Sequence, residues 1–219
     1  LAKGEGTLRL TALWEGKPVG EKTIAVQDGF FTTQLDLEEI HLWEAGKGGL
    51  YTLLLSLEND QVSSYFGLRT VAFQGRKFLL NGQPLFQRFV LDQGFYPDGI
   101  YTAPTEEDLI QDITLSFAAG FNGARLHEKV FEPRFLYHCD RLGYLVWGEY
   151  PNWGLDHSHP LATEIVLNQW SEAVERDCNH PAIIGWCPFN ETWGYHEEKE
   201  QNALLSSLYK LTKRLDPTR

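Results

Sequence analysis

Several side chains capable of chemistry stand at the ends of apolar runs. Glu191 follows Ile183-Ile184-Gly185-Trp186-Cys187-Pro188-Phe189-Asn190, and Glu149 follows Leu145-Val146-Trp147-Gly148. A carboxyl emerging from such surroundings is desolvated, which raises its pKa and keeps it protonated as a general acid. A hydrated turn carboxylate is the plainer reading, and the residues alone leave both open. Arg125 would bind a substrate hydroxyl or neutralise Glu149 or Glu191. His127, beside Glu128, would orient a hydroxyl or be a satisfied imidazole, and Trp193 would stack on a ring or simply pack. His157-Ser158-His159 has the spacing of a metal-ligand pair, but no second histidine pair or carboxylate cluster completes it, so a solvated loop is expected. Cys139, Cys178 and Cys187 show no Cys-x-x-Cys spacing and read as small buried hydrophobes.

The elements that must position these groups change character along the chain. Up to about residue 75 the period is two. Thr7 to Trp14 places Leu8, Leu10, Ala12 and Trp14 on one face, and Thr23–Val26, Phe30–Leu35, Leu50–Leu57 and Val62–Phe73 read as further strands of a β-sandwich. Asn81-Gly82 between apolar runs predicts a tight hairpin, because both residues tolerate positive φ. Beyond it, strands alternate with helices: Phe86–Leu91, then a helix over Thr105–Ala119 opened by a Thr105-x-x-Asp108 capping box. Ala124–Leu126 precedes a helix over Pro133–Leu142, Tyr144–Trp147 one over Thr163–Cys178, and Ala182–Trp186 one over Glu197–Leu215. Near-continuous apolar strands of this kind form a buried parallel sheet. Four such β-α units over residues 86 to 219 make either a small open sheet or about half of an eight-unit barrel of roughly 250 residues, and the missing methionine and abrupt end favour the half-barrel.

In such folds ligands gather where parallel strands end. The expected ends are Arg88 to Asp92-Gln93, Arg125 with His127, Glu149, and Asn190-Glu191 with Trp193 behind. One polar strand end is ordinary turn chemistry; four on one rim make a site.

Composition narrows the classes. Thirty acidic against nineteen basic side chains give a net charge of −11, a sign that repels phosphate backbones and anionic lipid. Neither nucleic acid nor membrane is therefore an expected partner. No apolar run reaches the roughly 18 residues of a membrane span and no secretion signal is present, which leaves location open with the cytoplasm favoured. The chain has no methionine and stops at Asp216-Pro217-Thr218-Arg219, so it reads as a piece of something longer, with sandwich strands expected before Leu1. The open edges of a half-barrel would favour pairing with another copy, a homo-oligomer.

A set of motifs now stands in order: Phe66-Gly67-Leu68-Arg69, Phe78-Leu79-Leu80-Asn81-Gly82-Gln83-Pro84-Leu85, Gly120-Phe121-Asn122-Gly123-Ala124-Arg125, Arg141 through Glu149, and Arg176 through Trp186 followed by Asn190-Glu191. Together they resemble glycoside hydrolase family 2, the β-galactosidase, β-glucuronidase and β-mannosidase family, from about Trp43 to Arg219. The resemblance implies an incomplete immunoglobulin-like sandwich over residues 1–75, followed by the first four βα units of a TIM barrel over 76–219. It implies a retaining exo-β-glycosidase acting on a terminal β-glycoside, with Glu191 as acid/base and Asn190 on the sugar's 2-hydroxyl. Arg88, Asp92, Arg125, His127, Glu149 and Trp193 then belong to substrate binding. The nucleophile, a glutamate ending the seventh strand in this family, would lie beyond Arg219, so the isolated chain is expected to be inactive. A non-catalytic carbohydrate-binding protein on the same fold is the alternative.

The sequence departs from the family pattern twice. Leu91-Asp92-Gln93-Gly94-Phe95 replaces the His-Glu pair that many members carry after strand one, which unsettles galactosidase-type contacts. Trp153-Gly154-Leu155 stands where magnesium-dependent members have Glu-x-His, so neither a metal nor another cofactor is expected.

Overall fold

The computed structural model describes residues 5–27, 29, 32–192 and 198–219. They form two compact units: Leu1–Trp43 with Gly49–Leu68, and Glu44–Gly48 with Arg69–Arg219.

The first unit is an antiparallel sheet of β1 (Gly6–Trp14), β2 (Lys17–Val26), β3 (Tyr51–Leu57) and β4 (Asp60–Phe66), in the order β2-β1-β3-β4. The expected face of β1 is the buried one. Leu8 and Leu10 pack with Val26 and Leu55, and Ala12 packs with Val19 and Tyr51. Two expectations fail here. The described part of the expected strand Phe30–Leu35, residues 32–35, is not a strand, although Leu35 still packs on both clusters. Val62–Phe73 is two strands rather than one, because the chain leaves the sheet after Phe66 and β5 (Val71–Gln74) pairs elsewhere.

In the second unit β5 pairs with β6 (Lys77–Leu80), which turns through Asn81 at φ 53° and Gly82 at φ 75° into β7 (Gln83–Pro84), as the Asn-Gly pair predicted. A four-stranded parallel sheet follows, ordered β11-β10-β9-β8, from β8 (Phe89–Asp92), β9 (Gly123–Leu126), β10 (Leu145–Glu149) and β11 (Ile183–Cys187). Helices α1 (Glu106–Ala118), α2 (Pro133–Leu142), α3 (Pro160–Asp177) and α4 (Glu198–Leu215) follow the four strands in turn. This is the predicted half-barrel order.

Local chemistry explains the helix ends. Thr105 and Asp108 form the reciprocal capping box of α1. Pro133 opens α2, and Gly143 closes it in the left-handed region at φ 75°. A Cβ at Gly143 would lie 2.5 to 2.6 Å from Gly46 N, Glu44 O and Gly48 N, so the segment 44–48 rests directly on this cap. Between α3 and α4 the core is Val166, Trp170 and Val174 against Leu204 and Leu208, with the Trp170 indole donating to Thr212 Oγ1 at 2.7 Å. Among the described residues no helix is long and apolar enough to cross a membrane.

Candidate active site

Because β8 to β11 run parallel, their C-terminal ends share one edge. Asp92 ends β8, His127 follows β9, Glu149 ends β10, and Pro188-Phe189-Asn190-Glu191 follow β11. Arg88 is not brought there. It precedes β8 and so lies at the opposite edge, with its Nε donating to the Gly120 carbonyl at 2.8 Å. Reading the strand from Phe86, three residues early, moved Arg88 to the wrong end. Trp193 lies outside the described residues.

Arg125 joins the rest. Its Nε donates to Glu149 Oε2 at 2.6 Å, its Nη2 to Asn190 Oδ1 at 2.5 Å, and the same Nη2 lies 3.7 Å from Cys187 Sγ. The Glu149 carboxylate is fully buried, and its other oxygen accepts the Glu128 backbone N–H at 3.0 Å. Its hydrogen bond pushes the Arg125 pKa up, so the guanidinium stays charged. A guanidinium can only donate, which orients the Asn190 amide: Oδ1 faces Arg125, and Nδ2 points the other way. That Nδ2 is buried and has no hydrogen-bond partner. Burial, aided by the Glu149 charge, pushes the Cys187 thiol up to about 11, so it is no nucleophile at neutral pH.

Around this centre the groups are firmly held. The Gln93 amide donates to His127 Nδ1 at 2.8 Å, and the His127 ring meets the Trp153 ring edge-on, with centroids 4.9 Å apart. Asp92 Oδ1 accepts the Gly94 N–H at 2.8 Å; burial raises its pKa, and Asp112 adds to the rise. Lys129, itself buried, donates to the Gly94 and Tyr101 carbonyls and lies over the Tyr101 and Phe131 rings. It therefore holds the loop between β8 and α1 rather than facing a ligand.

Glu191 is solvent-exposed. The apolar run before it forms β11 and does not wall in the carboxylate, in line with the plainer of the two sequence readings. Its backbone is held instead by Asn152, a fully buried residue that the strand-end reading passed over. Its signal was a carboxamide three residues past Glu149. The loop of the histidine pair is largely solvated, as expected, and His159 is exposed, but His157 is not. His157 is buried, with its Nε2 3.2 Å from Asn152 Nδ2, and His159 caps α3 by accepting the Leu161 N–H.

One set of possible cation ligands occurs among the described residues: donor atoms of His127, Glu128 and Glu149 lie within 4.8 Å of one another. Both Glu149 oxygens are already engaged, and Glu128 Oε2 accepts the Trp153 N–H, which leaves Glu128 Oε1 as the unpartnered oxygen.

A half-barrel of parallel strands, joined to an antiparallel β unit and carrying carboxylates, an arginine and an asparagine on its C-terminal edge, has the build of a barrel hydrolase. The sequence pattern of "Glycosyl hydrolases family 2, TIM barrel domain" matches residues 71–219, and that of "Glycosyl hydrolases family 2" matches residues 4–69. The chain belongs to glycoside hydrolase family 2, as an immunoglobulin-like domain followed by part of a TIM barrel. It is 27% identical over 201 residues to a β-galactosidase of Thermoanaerobacterium thermosulfurigenes, covering 89% of this chain and 27% of that protein. To the β-glucuronidase of Rattus norvegicus it is 31% identical over 202 residues, covering 85% and 30%. The solved β-glucuronidase of Faecalibacterium prausnitzii superposes with a TM-score of 0.83 at 29% identity, over 98% of this chain and 37% of that one. The chain thus spans about a third of these relatives or less.

Proposed function

We propose that the chain is the acid/base half of a retaining exo-β-glycosidase acting on terminal β-glycosides of the galactoside or glucuronide kind. The observation that carries this reading is the Asn190 amide. Arg125, itself locked by buried Glu149, takes Asn190 Oδ1 and leaves Nδ2 as a buried donor without a partner, next in sequence to Glu191. A donor held ready beside an acid is what a 2-hydroxyl needs, since hydrogen bonds to that group strengthen in an oxocarbenium-like transition state. Glu191 protonates the leaving oxygen and later activates water; its exposure leaves it accessible to both. Asp92 and His127 line the substrate side, Glu149 acts through Arg125, and Trp193, outside the described residues, is assigned to substrate binding from the family resemblance alone. Arg88 has no part in it.

Retention requires a second carboxyl roughly 5–5.5 Å from the first. Glu149 is committed to Arg125 and Glu128, and the family resemblance assigns the nucleophile to the end of a seventh strand, outside these 219 residues. The edges β8 and β11 are read as seats for the remaining barrel strands or, without them, for a second copy. The division into residues 1–75 and 76–219 stands as part of the same proposal.

The test is Glu191→Gln in the protein carrying the complete barrel. Hydrolysis of methyl β-galactoside or β-glucuronide should fall by about 10²–10⁴-fold, the usual worth of general acid–base catalysis, while sugar binding persists. Unchanged turnover would overturn the assignment. Sugar binding with no turnover in the unsubstituted protein would establish the non-catalytic alternative.

A further inference from the structure

The loop after β11 poses a problem for the sheet. The β10–β11 ladder ends with Glu149 opposite Cys187, plus one bond from the Tyr150 N–H to the Cys187 carbonyl. Pro188 follows and has no N–H to extend the ladder. Asn190 and Glu191 therefore lie beyond the reach of strand pairing, although an acid/base must be held to within a fraction of an ångström.

Asn152 supplies the missing partner. Its Oδ1 accepts the Asn190 N–H at 2.7 Å and its Nδ2 donates to the Glu191 carbonyl at 2.9 Å. One carboxamide thus grips both ends of the dipeptide, as a neighbouring strand's backbone would. The second amide hydrogen points to His157 Nε2 at 3.2 Å. An amide nitrogen only donates, so Nε2 accepts and the ring is neutral, and its other face is packed edge-on against Phe189, with centroids 5.2 Å apart. Reversing the Asn152 amide would set donor against donor and acceptor against acceptor, so its orientation is determined. Asn152 has no solvent exposure, and water cannot readily replace it.

We infer that Asn152, oriented by His157, is a positioning residue that sets the direction of Glu191 by clamping the Asn190-Glu191 backbone. This rests on the reading of Glu191 as the acid/base.

The experiment compares two substrates in the complete-barrel protein: methyl β-galactoside or β-glucuronide, whose leaving group needs a proton, and the 2,4-dinitrophenyl glycoside of the same sugar, whose leaving group does not. Glu191→Gln, Asn152→Ala and His157→Ala are measured in parallel. Asn152→Ala should lower kcat for the methyl glycoside by about 10–100-fold, the scale of an ångström's misplacement. It should leave kcat/KM for the dinitrophenyl glycoside, which reports bond cleavage alone, nearly unchanged, while kcat and KM for that substrate fall together because hydrolysis of the glycosyl-enzyme still needs Glu191 as base. A merely structural role would lower the folded fraction and depress both substrates together. His157→Ala should shift the ratio the same way by less, and it serves if Asn152→Ala does not fold. Selectivity in Glu191→Gln but none in the other two variants refutes the clamp alone. Absence of selectivity in Glu191→Gln refutes the acid/base reading on which it rests.

Discussion

Removing the Glu149 carboxylate should destabilise the half-barrel more than any surface change, and the size follows from its partners. The side chain has no exposure, and it accepts Arg125 Nε at 2.6 Å and the Glu128 N–H at 3.0 Å. Breaking a buried ion pair from one side costs about 3–5 kcal/mol. Here the Arg125 side chain keeps 30% of its exposure and its bond to Asn190, so the abandoned guanidinium is partly rehydrated. That moves its share toward the low end of the range. The Glu128 N–H also loses its acceptor; a buried orphan costs about 1–3 kcal/mol, and this half-buried residue takes the low end. Glu149→Ala should therefore lose about 4 kcal/mol. Glu149→Gln retains one acceptor oxygen for one of the two donors but sets its NH₂ against the other, and should lose about 2 kcal/mol. Urea unfolding of the chain, followed by tryptophan fluorescence and circular dichroism so that the two units are resolved, measures both. If both variants unfold within about 0.5 kcal/mol of the parent, the range of ordinary surface changes, the pair is not the keystone described here.

Gly143→Ala should cost at least about 2 kcal/mol, combining the left-handed penalty with contact against three backbone atoms of 44–48 that no rotamer relieves; a thermal melt unchanged from the parent would contradict it. Thr105→Ala removes one half of the α1 capping box and should cost about 1 kcal/mol, read from the urea midpoint at constant slope. Burial holds His157 below its usual 6.5, against an opposing pull from Asp156. The unfolded chain then binds a proton that the folded chain refuses, so His157's contribution is complete above pH 6.5 and declines as acid titrates the unfolded form below it. Melting temperatures should fall from pH 7 toward 5.5, with a shallower slope in His157→Gln, which keeps an acceptor for Asn152; equal slopes would refute this assignment.

Much of the architecture was legible because its signals are local. The Asn81-Gly82 turn, the Thr105–Asp108 box, and the bounds of α2 at Pro133 and Gly143 each depend on a few adjacent residues and their own φ preferences. Strand ends were legible to within a few residues, which sufficed to bring Asp92, His127, Glu149 and Asn190 to one edge and failed for Arg88. Period two alone could not divide Val62–Phe73. The break there is set from far away, since Arg69 leaves the sheet to donate to the Pro181 and Ile183 carbonyls, 112 and 114 residues on.

The chemistry of the site divides along the same line. Residue types and spacing by themselves determined most of the side chains that stand at strand ends, since a strand's extent follows to within a few residues from its own apolar pattern. Tertiary structure alone decided which donor meets which acceptor. Arg125 chose Glu149 and Asn190 over Glu191, and Asn152 reached 38 and 39 residues along the chain to hold the dipeptide. A buried polar group must find a partner wherever packing brings one, and packing is a property of the whole fold rather than of any stretch of sequence.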